Sequence, residues 1–168
     1  MTPSSNPHDF VTVVKEAKGH IVERAIFWPA RWKQFRRPKG QRWDWKSVPF
    51  NRAAAKDVPN DQHGVYSFVL CPNVAAHPKN HFVLYVGKAD TMTLRARFRS
   101  YFNDMKKVKR PKICYALNMW DGYLEFCFTT VRHPGDIETV ETRMLDALLP
   151  PYNTQFSGQV SKIIRGLR

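Results

Sequence analysis

The chain has 168 residues, 43% of them hydrophobic, which is enough apolar surface for one folded domain and excludes a wholly disordered chain. Its 27 Lys and Arg against 14 Asp and Glu give a net charge of +13, which favours a polyanionic partner, with nucleic acid ahead of an anionic membrane surface. No stretch approaches the ~18–20 apolar residues of a membrane span, and the 3 cysteines, without CxxC spacing, indicate neither a disulfide framework nor a zinc site.

Residues 1–62 are expected to form a basic, partly helical extension rich in tryptophan. Its start lacks the basic-then-apolar pattern of a signal peptide, and unpaired cysteines suit a reducing compartment, so we expect a cytoplasmic protein with no membrane contact. Between residues 31 and 46, basic side chains such as Arg36 and Arg37 are interleaved with aromatic ones, a mixture that can contact phosphates and stack on bases. The alternative is that the tryptophans in or beside this stretch pack the extension onto the main domain. They are Trp28, Trp32, Trp43 and Trp45.

Three β-strands are predicted after a connector over residues 47–63. Residues 65–70 and 82–86 are β-branched and aromatic, and the loop of prolines and asparagines between them favours an antiparallel pair. Residues 124–131 alternate between apolar and polar side chains, which is typical of a strand with one buried face. The sequence thus predicts a small, mainly antiparallel sheet.

A first helix is predicted over residues 94–105, where apolar side chains follow one helical stripe and Thr93 suits the N-cap. At about 100° per residue, Arg95 and Arg97 fall on opposite flanks of this stripe, and Arg99 points away from it. The arginines of this helix can therefore reach different surroundings.

A second helix is predicted over residues 137–149, ended by Pro150 and Pro151, with Glu141 in the middle of its apolar stripe. A carboxylate on the core-facing side of a helix costs free energy unless it is paired, hydrogen-bonded or bound to a metal. Glu141 is therefore either a functional carboxylate or a partly buried partner of one of the many arginines. Periodicity alone does not distinguish the two.

Five features of this chain come in a fixed order: Gly64-Val65-Tyr66, Tyr85-Val86-Gly87-Lys88-Ala89, an arginine on the next helix, Glu141, and Tyr152-Asn153. In this order they resemble the GIY-YIG nuclease family. The stretches YVGKA and LRARFRSYF and the Pro-x-Tyr-Asn end are closest to the nuclease domain of the bacterial excision-repair incision subunit. The resemblance implies an α+β nuclease domain over residues 63–156, with a three-stranded, mainly antiparallel sheet flanked by helices. The extension over residues 1–62 precedes it, and a basic tail over 157–168 follows.

The resemblance also implies the catalytic residues. They are Tyr66, Tyr85, Lys88, Arg97, Glu141 and Asn153. Arg97 is assigned because Arg97-Phe98-Arg99-Ser100-Tyr101-Phe102 aligns with the family's Arg-x-x-Ser-Tyr-Phe, which requires two extra residues at 90–93. Without that insertion, Arg95 takes the place. Glu141 is implied as the ligand of one Mg²⁺ or Mn²⁺, hard cations that prefer oxygen.

Two assignments of the general base stay open. Tyr66 could accept the proton of the attacking water if Lys88 and the metal lowered its pKa, which is near 10 for a free tyrosine. In the other assignment Lys88 is the base and Tyr66 only positions the water. Arg97 would stabilise charge on the phosphate, and Asn153 would orient a catalytic group.

The expected function is that of a divalent-metal-dependent DNA endonuclease acting on duplex or branched DNA. A restriction-type or mobile-element nuclease and a structure-specific repair nuclease are both compatible with the motifs, and a non-cleaving nucleic-acid-binding protein on the same fold is the alternative from another class. One active site cuts one strand at a time, so cutting of both strands implies a homodimer or two successive nicks. The basic stretches 31–46 and 88–112, which include a predicted loop at 106–112, would contact DNA phosphates. Their expected contacts are Arg36, Arg37, Arg95, Arg99, Lys106, Lys107, Lys109 and Arg110.

Overall fold

A computed structural model describes residues 25–35, 39–72, 74, 80–107 and 109–167. Its centre is one antiparallel sheet of four strands: β1 (Lys46–Pro49), β2 (Gly64–Leu70), β3 (Phe82–Ala89) and β4 (Leu124–Thr130). Their order across the sheet is β1-β4-β2-β3, so β2 and β4 are central and β3 is an edge strand. The predicted α+β class and the three predicted strands are confirmed.

The prediction of a three-stranded sheet was wrong, because the connector contributes a fourth strand. Val48 of β1 pairs with Phe126 of β4, and Lys46 pairs with Phe128. Only Val48 of the four residues is buried, so β1 shows no readable alternation, and Pro49 is tolerated because β1 lies at the sheet edge.

In the described part of the chain, five helices flank the sheet: α1 (Pro29–Gln34), α2 (Leu94–Lys107), α3 (Pro111–Met119), α4 (Ile137–Leu148) and α5 (Gly158–Leu167). The two predicted helices correspond to α2 and α4, and the backbone N–H of Ala96 donates to Thr93 Oγ1 at 3.2 Å, which confirms the N-cap. The basic loop predicted over residues 106–112 is shorter, because α2 continues to Lys107 and α3 already begins at Pro111. Proline is favourable in that first turn, where its missing N–H has no helical partner to lose.

The two faces of the sheet have different cores. On one face, which we call the aromatic face, Tyr66, Phe68 and Phe126 pack against α2 and α3. On the other, the aliphatic face, Val65 and Val86 pack against α4. Side chains alternate between faces along a strand, so neighbouring residues of β2 and β3 can serve both cores.

Residues after β1 also belong to the aromatic core. Phe50 is 6% exposed, and its ring centroid lies 4.8 Å from that of Phe68, 5.4 Å from that of Phe98 and 4.6 Å from that of Phe102. A 3₁₀ helix, Ala53–Asp57, follows it. The sequence-based division of the chain at residue 63 stays a prediction. No helix in the described part of the chain has the length and apolarity needed to cross a membrane.

Replacing Phe50 tests whether this segment is part of the core. We expect Phe50→Ala to lower the free energy of unfolding by about 3–5 kcal/mol, because it removes a ring packed among other rings and leaves a cavity. The matched control is Phe82→Ala, since Phe82 is 51% exposed. Denaturant unfolding followed by circular dichroism gives both values, and equal losses in the two variants would contradict the assignment of Phe50 to the core.

Candidate active site

A cleft of about 570 Å³ opens beside the edge strand β3. Tyr85 and Lys88 enter it from β3, Glu138 and Glu141 enter it from α4, and Arg110 lies on the opposite wall before α3. The segment after α4, residues 152–157, completes the lining. The cleft thus joins elements from both faces of the sheet at one edge.

Tyr66 lies beneath this edge, against the backbone of Gly87. The two residues are paired across β2 and β3, and Tyr66 is 1% exposed. A Cβ atom at position 87 would lie 2.5 Å from Tyr66 Oη and 2.9 Å from Tyr85 Cε1. Only glycine allows this approach. The glycine of the Tyr-Val-Gly sequence is therefore required by the packing of both motif tyrosines, Tyr66 and Tyr85.

The Tyr66 hydroxyl forms a hydrogen bond of 2.6 Å with the Tyr101 hydroxyl of α2. Burial and the nearby Tyr85 raise the pKa of Tyr66 above its usual value, although the Tyr101 hydrogen bond and the charges of Arg97 and Arg110 act against this. Burial likewise raises the pKa of Tyr101. Tyr66 is therefore protonated at neutral pH, and its use as a base requires additional positive charge.

Glu141 is half-buried in the cleft, as expected for a carboxylate within an apolar stripe. Burial raises the pKa of Glu141 to about 7, and the negative charges of Asp90 and Glu138 add to this, while Lys88 and Arg97 oppose it. A carboxylate kept at such a cost is a common mark of a functional site. No ion pair between Glu141 and an arginine is formed among the described residues.

Lys88 extends into the same acidic group. Its Nζ lies 3.0 Å from Asp90 Oδ2 and 3.5 Å from Glu138 Oε1. The hydrogen bond to Asp90 is the main cause of the raised pKa of Lys88. Lys88 is thus held as an ammonium ion, and it would have to lose a stabilised proton before acting as a base.

Arg95 and Arg97 extend from α2 into different surroundings. Arg95 Nε donates to the carbonyl of Val58 at 2.6 Å, and its Nη2 donates to the carbonyl of Lys56 at 2.9 Å. Arg95 therefore connects α2 to the 3₁₀ helix and does not line the cleft.

Arg97 lies close enough to Tyr66 and Glu141 for its charge to lower the pKa of both, against the larger effect of burial. Its Nε is buried and has no hydrogen-bond partner among the residues that the structure describes. A buried donor without a partner is uncommon in folded proteins and marks Arg97 as a residue that needs an explanation.

Asn153 is buried and bonded to the backbone of β3. Its Oδ1 accepts from the Val86 N–H at 2.9 Å, and its Nδ2 donates to the Val86 carbonyl at 2.8 Å. We expected Asn153 to orient a catalytic group. Through these two bonds it positions the edge strand from which Tyr85 and Lys88 extend, and its orienting role stays a prediction.

The residues expected to contact DNA lie in three settings. Arg99, Lys106, Lys107 and Lys109 are exposed. Arg95 and Arg110 each donate to two protein groups, while Arg36 and Arg37 lie outside the described residues. Lys106, Lys107 and Lys109 lie at the end of α2 and Arg99 lies earlier in the same helix, so this part of the described surface is basic.

The sequence-based analysis missed two residues that the fold brings to this site, Asp90 and Tyr101, and it placed a third, Arg110, among the DNA contacts. Asp90 comes directly after β3. Its carboxylate, two positions after Lys88, was the sequence feature that could have identified it as part of the site. Tyr101 was assigned to the apolar stripe, although a buried tyrosine hydroxyl usually needs a partner. Arg110 carried no local signal, because its contacts depend on the turn between α2 and α3.

The described side chains include no group of three or more His, Cys, Asp or Glu arranged to hold a metal ion. Glu141 is nevertheless a hard oxygen donor beside two further carboxylates, and Mg²⁺ commonly binds proteins through one or two carboxylates while keeping several waters. The donor set therefore fits such an ion with Glu141 as its main protein ligand.

Comparison of the chain with protein-family models, with curated proteins and with solved structures finds no match. A function therefore has to be inferred from this cleft and from the sequence motifs.

The cost of burying Glu141 can be measured without any activity. Its raised pKa means that the folded protein loses stability as the pH rises from about 4.5 to about 7, because the ionised carboxylate is disfavoured only in the folded state. We expect Glu141→Gln to raise the free energy of unfolding by about 1 kcal/mol at pH 8.5 in EDTA, after allowance for solvent screening. The gain should shrink as the pH falls towards 4.5.

The control for this measurement is Glu138→Gln, because the Glu138 side chain is 78% exposed and its removal should change stability by less than ~0.5 kcal/mol. A gain for Glu141→Gln that is the same at both ends of the pH range would show that ionisation of Glu141 is not its cause.

Proposed function

We propose that the chain is a divalent-metal-dependent DNA endonuclease of the GIY-YIG type, which hydrolyses phosphodiester bonds in the cleft beside β3. The observation that carries this proposal is the half-buried Glu141 facing Lys88, with Arg97 close to both Glu141 and Tyr66. A carboxylate and a lysine in one open cleft, with Arg97 and the buried Tyr66 hydroxyl close by, suit the hydrolysis of a phosphate diester. The order of the motifs along the chain supports the same family.

Glu141 would hold the metal, because a cation relieves the repulsion that Asp90 and Glu138 impose on its carboxylate. A bound Mg²⁺ or Mn²⁺ would supply Lewis acidity at the phosphate and would lower the pKa of water. Asp90 and Lys88, paired at 3.0 Å, would keep the edge of the site charged and ordered.

Arg97 would bind the phosphate. Its buried Nε has no partner among the described residues, so the cost of removing this donor from water is already met in the folded protein. Arginine suits phosphate oxygens because its planar fork can make two parallel hydrogen bonds. Charge that develops on the phosphate in the transition state would be stabilised here.

The Tyr66 hydroxyl would position the attacking water, since its place over Gly87 is fixed by packing on both sides. It would accept the proton only if Arg97 and the metal outweigh the effect of burial on its pKa. Lys88, which is held protonated by Asp90, is the weaker candidate for the base and suits the stabilisation of negative charge.

DNA would approach the cleft across the exposed basic residues at the end of α2. Arg99, Lys106, Lys107 and Lys109 would contact backbone phosphates, and affinity would therefore fall with rising salt. Phosphate contacts of this kind fix the orientation of a duplex and carry no sequence information.

The metal role of Glu141 is tested with supercoiled plasmid and with branched and single-stranded DNA. We expect the wild type to cut in Mg²⁺ and to stop in EDTA, and Glu141→Gln to lose at least about 100-fold in rate because it removes the metal ligand. A mobility shift in EDTA should show equal DNA binding by both proteins. Glu138→Gln is the matched control and should keep most of its activity.

Two results would contradict this proposal. Equal cutting by the wild type and Glu141→Gln would exclude Glu141 from the reaction. Binding of every substrate without cutting of any, in Mg²⁺ and in Mn²⁺, would instead indicate a non-cleaving nucleic-acid-binding protein.

The close contact at Gly87 gives a separate test of Tyr66. We expect Gly87→Ala to lower the cutting rate at least about tenfold with DNA binding unchanged, because the added Cβ displaces the Tyr66 and Tyr85 rings. Gly135→Ala is the control, since nothing lies within 4 Å of a Cβ atom at that position. Wild-type activity in a Gly87→Ala protein that remains folded by circular dichroism would show that the reaction does not depend on this geometry.

A further inference from the structure

Arg110 lies among the exposed lysines of the turn between α2 and α3, but its guanidinium is turned inwards. Nη1 donates to the Tyr101 hydroxyl at 3.2 Å, and Cζ lies 4.3 Å from the centroid of the Tyr101 ring. Nη2 forms an ion pair with Asp104 of α2. Lys107 and Lys109, which precede it in the chain, are exposed. Arg110 therefore differs from its basic neighbours in making three contacts within the protein.

The contact with Tyr101 favours one direction for a hydrogen-bond chain. A guanidinium can only donate, so Tyr101 Oη accepts from Arg110. Tyr101 is 0% exposed, and its hydroxyl proton has the Tyr66 oxygen as a partner at 2.6 Å. The Tyr66 proton is then left to bond a group other than Tyr101.

We propose that Arg110, held in place by Asp104, is a positioning residue that orients and polarises the Tyr101–Tyr66 hydroxyl pair, and that it is not a contact to the DNA backbone. This inference rests on the proposed nuclease function and reassigns a residue that the sequence placed among the DNA contacts. The chain Asp104–Arg110–Tyr101–Tyr66 links a surface turn to the buried side of the site.

Electrostatics around the pair supports the same role. The ionisable groups that act on the pair are Tyr85 of β3, which opposes negative charge there, and Arg97 and Arg110, which favour it. Arg97 is assigned to the phosphate, so Arg110 is the cation left to the hydroxyl pair. Its charge would stabilise the pair whenever electron density builds up on the Tyr66 oxygen.

A phosphate contact and a positioning residue predict different effects when Arg110 is replaced. Loss of a phosphate contact weakens binding and lowers the slope of log K against log salt concentration by about 1, whereas the rate of bound substrate changes little. Loss of a positioning residue lowers kcat by about 10–100-fold, and leaves KM and the salt slope unchanged.

The experiment compares Arg110→Gln, Arg110→Lys and the control Lys109→Gln with the wild type. Cutting of whichever plasmid or branched DNA the wild type cuts gives kcat and KM, and mobility shifts over a range of salt concentrations in EDTA give the slope. We expect Arg110→Gln to lose about 10–100-fold in kcat with an unchanged slope, and Arg110→Lys to recover part of the loss, because an ammonium can also donate to Tyr101. Lys109→Gln, the comparison for a lost phosphate contact, should weaken binding and lose about 1 from the slope.

A second readout needs no cutting. In protein labelled with ¹³C at tyrosine Cζ, the signals of Tyr66 and Tyr101 should shift in Arg110→Gln and stay in place in Lys109→Gln, because only the first variant loses the donor to Tyr101. If the wild type cuts no DNA, the nuclease proposal fails, and these signals still decide whether Arg110 controls the pair.

A lower salt slope with unchanged kcat and unmoved Tyr66 and Tyr101 signals in Arg110→Gln would overturn the inference and return Arg110 to the DNA contacts. Loss of kcat in Arg110→Gln without any recovery in Arg110→Lys, and with unmoved tyrosine signals, would equally overturn it.

Discussion

Asn153 bonds both backbone groups of Val86, and beside it the Tyr152 N–H donates to the Leu84 carbonyl at 3.1 Å. These bonds satisfy the outer edge of β3, whose free N–H and C=O groups would otherwise invite pairing with another chain. They also attach the segment after α4 to the strand that carries Tyr85 and Lys88. Because α4 ends just before this segment, the same constraint brings its Glu141 to the edge of the sheet. The cleft therefore depends on the hydrogen bonds between β3 and the segment after α4.

The edge strand also explains how one site can use both cores. Tyr66 belongs to the aromatic face, where it packs with α2, whereas α4 and its Glu141 cover the aliphatic face. Because position 87 is a glycine, no side chain there separates the Tyr66 hydroxyl from the backbone of β3, and the hydroxyl lies directly against that strand. The site is thus a consequence of a missing Cβ in an edge strand, and the neighbouring side chains only complete it.

The charges of the site impose opposite demands on stability and on chemistry. Burial raises the pKa of Glu141 and of Tyr66, which means that neither group is ionised without cost. Surrounding cations offset part of this cost: Lys88 acts on the carboxylate, Arg110 acts on the hydroxyl pair and Arg97 acts on both. Keeping these two groups buried lowers the stability of the folded domain. In the proposed function, a bound cation and a phosphate would restore that stability.

The strands β2, β3 and β4, the helices α2 and α4, and the position of Glu141 within an apolar stripe were predictable from the sequence, because each follows from the composition or the periodicity of neighbouring residues. The sequence did not determine β1, whose single inward residue is stabilised by pairing with β4, or the inward turn of Arg110. The motifs also did not predict that Arg95 bonds the carbonyls of Lys56 and Val58, or that Asn153 bonds the backbone of Val86. These features depend on partners distant in the chain, so they become visible only in the folded structure. Local periodicity specifies which way a side chain faces, but the group it meets there is set by the packing of the whole domain.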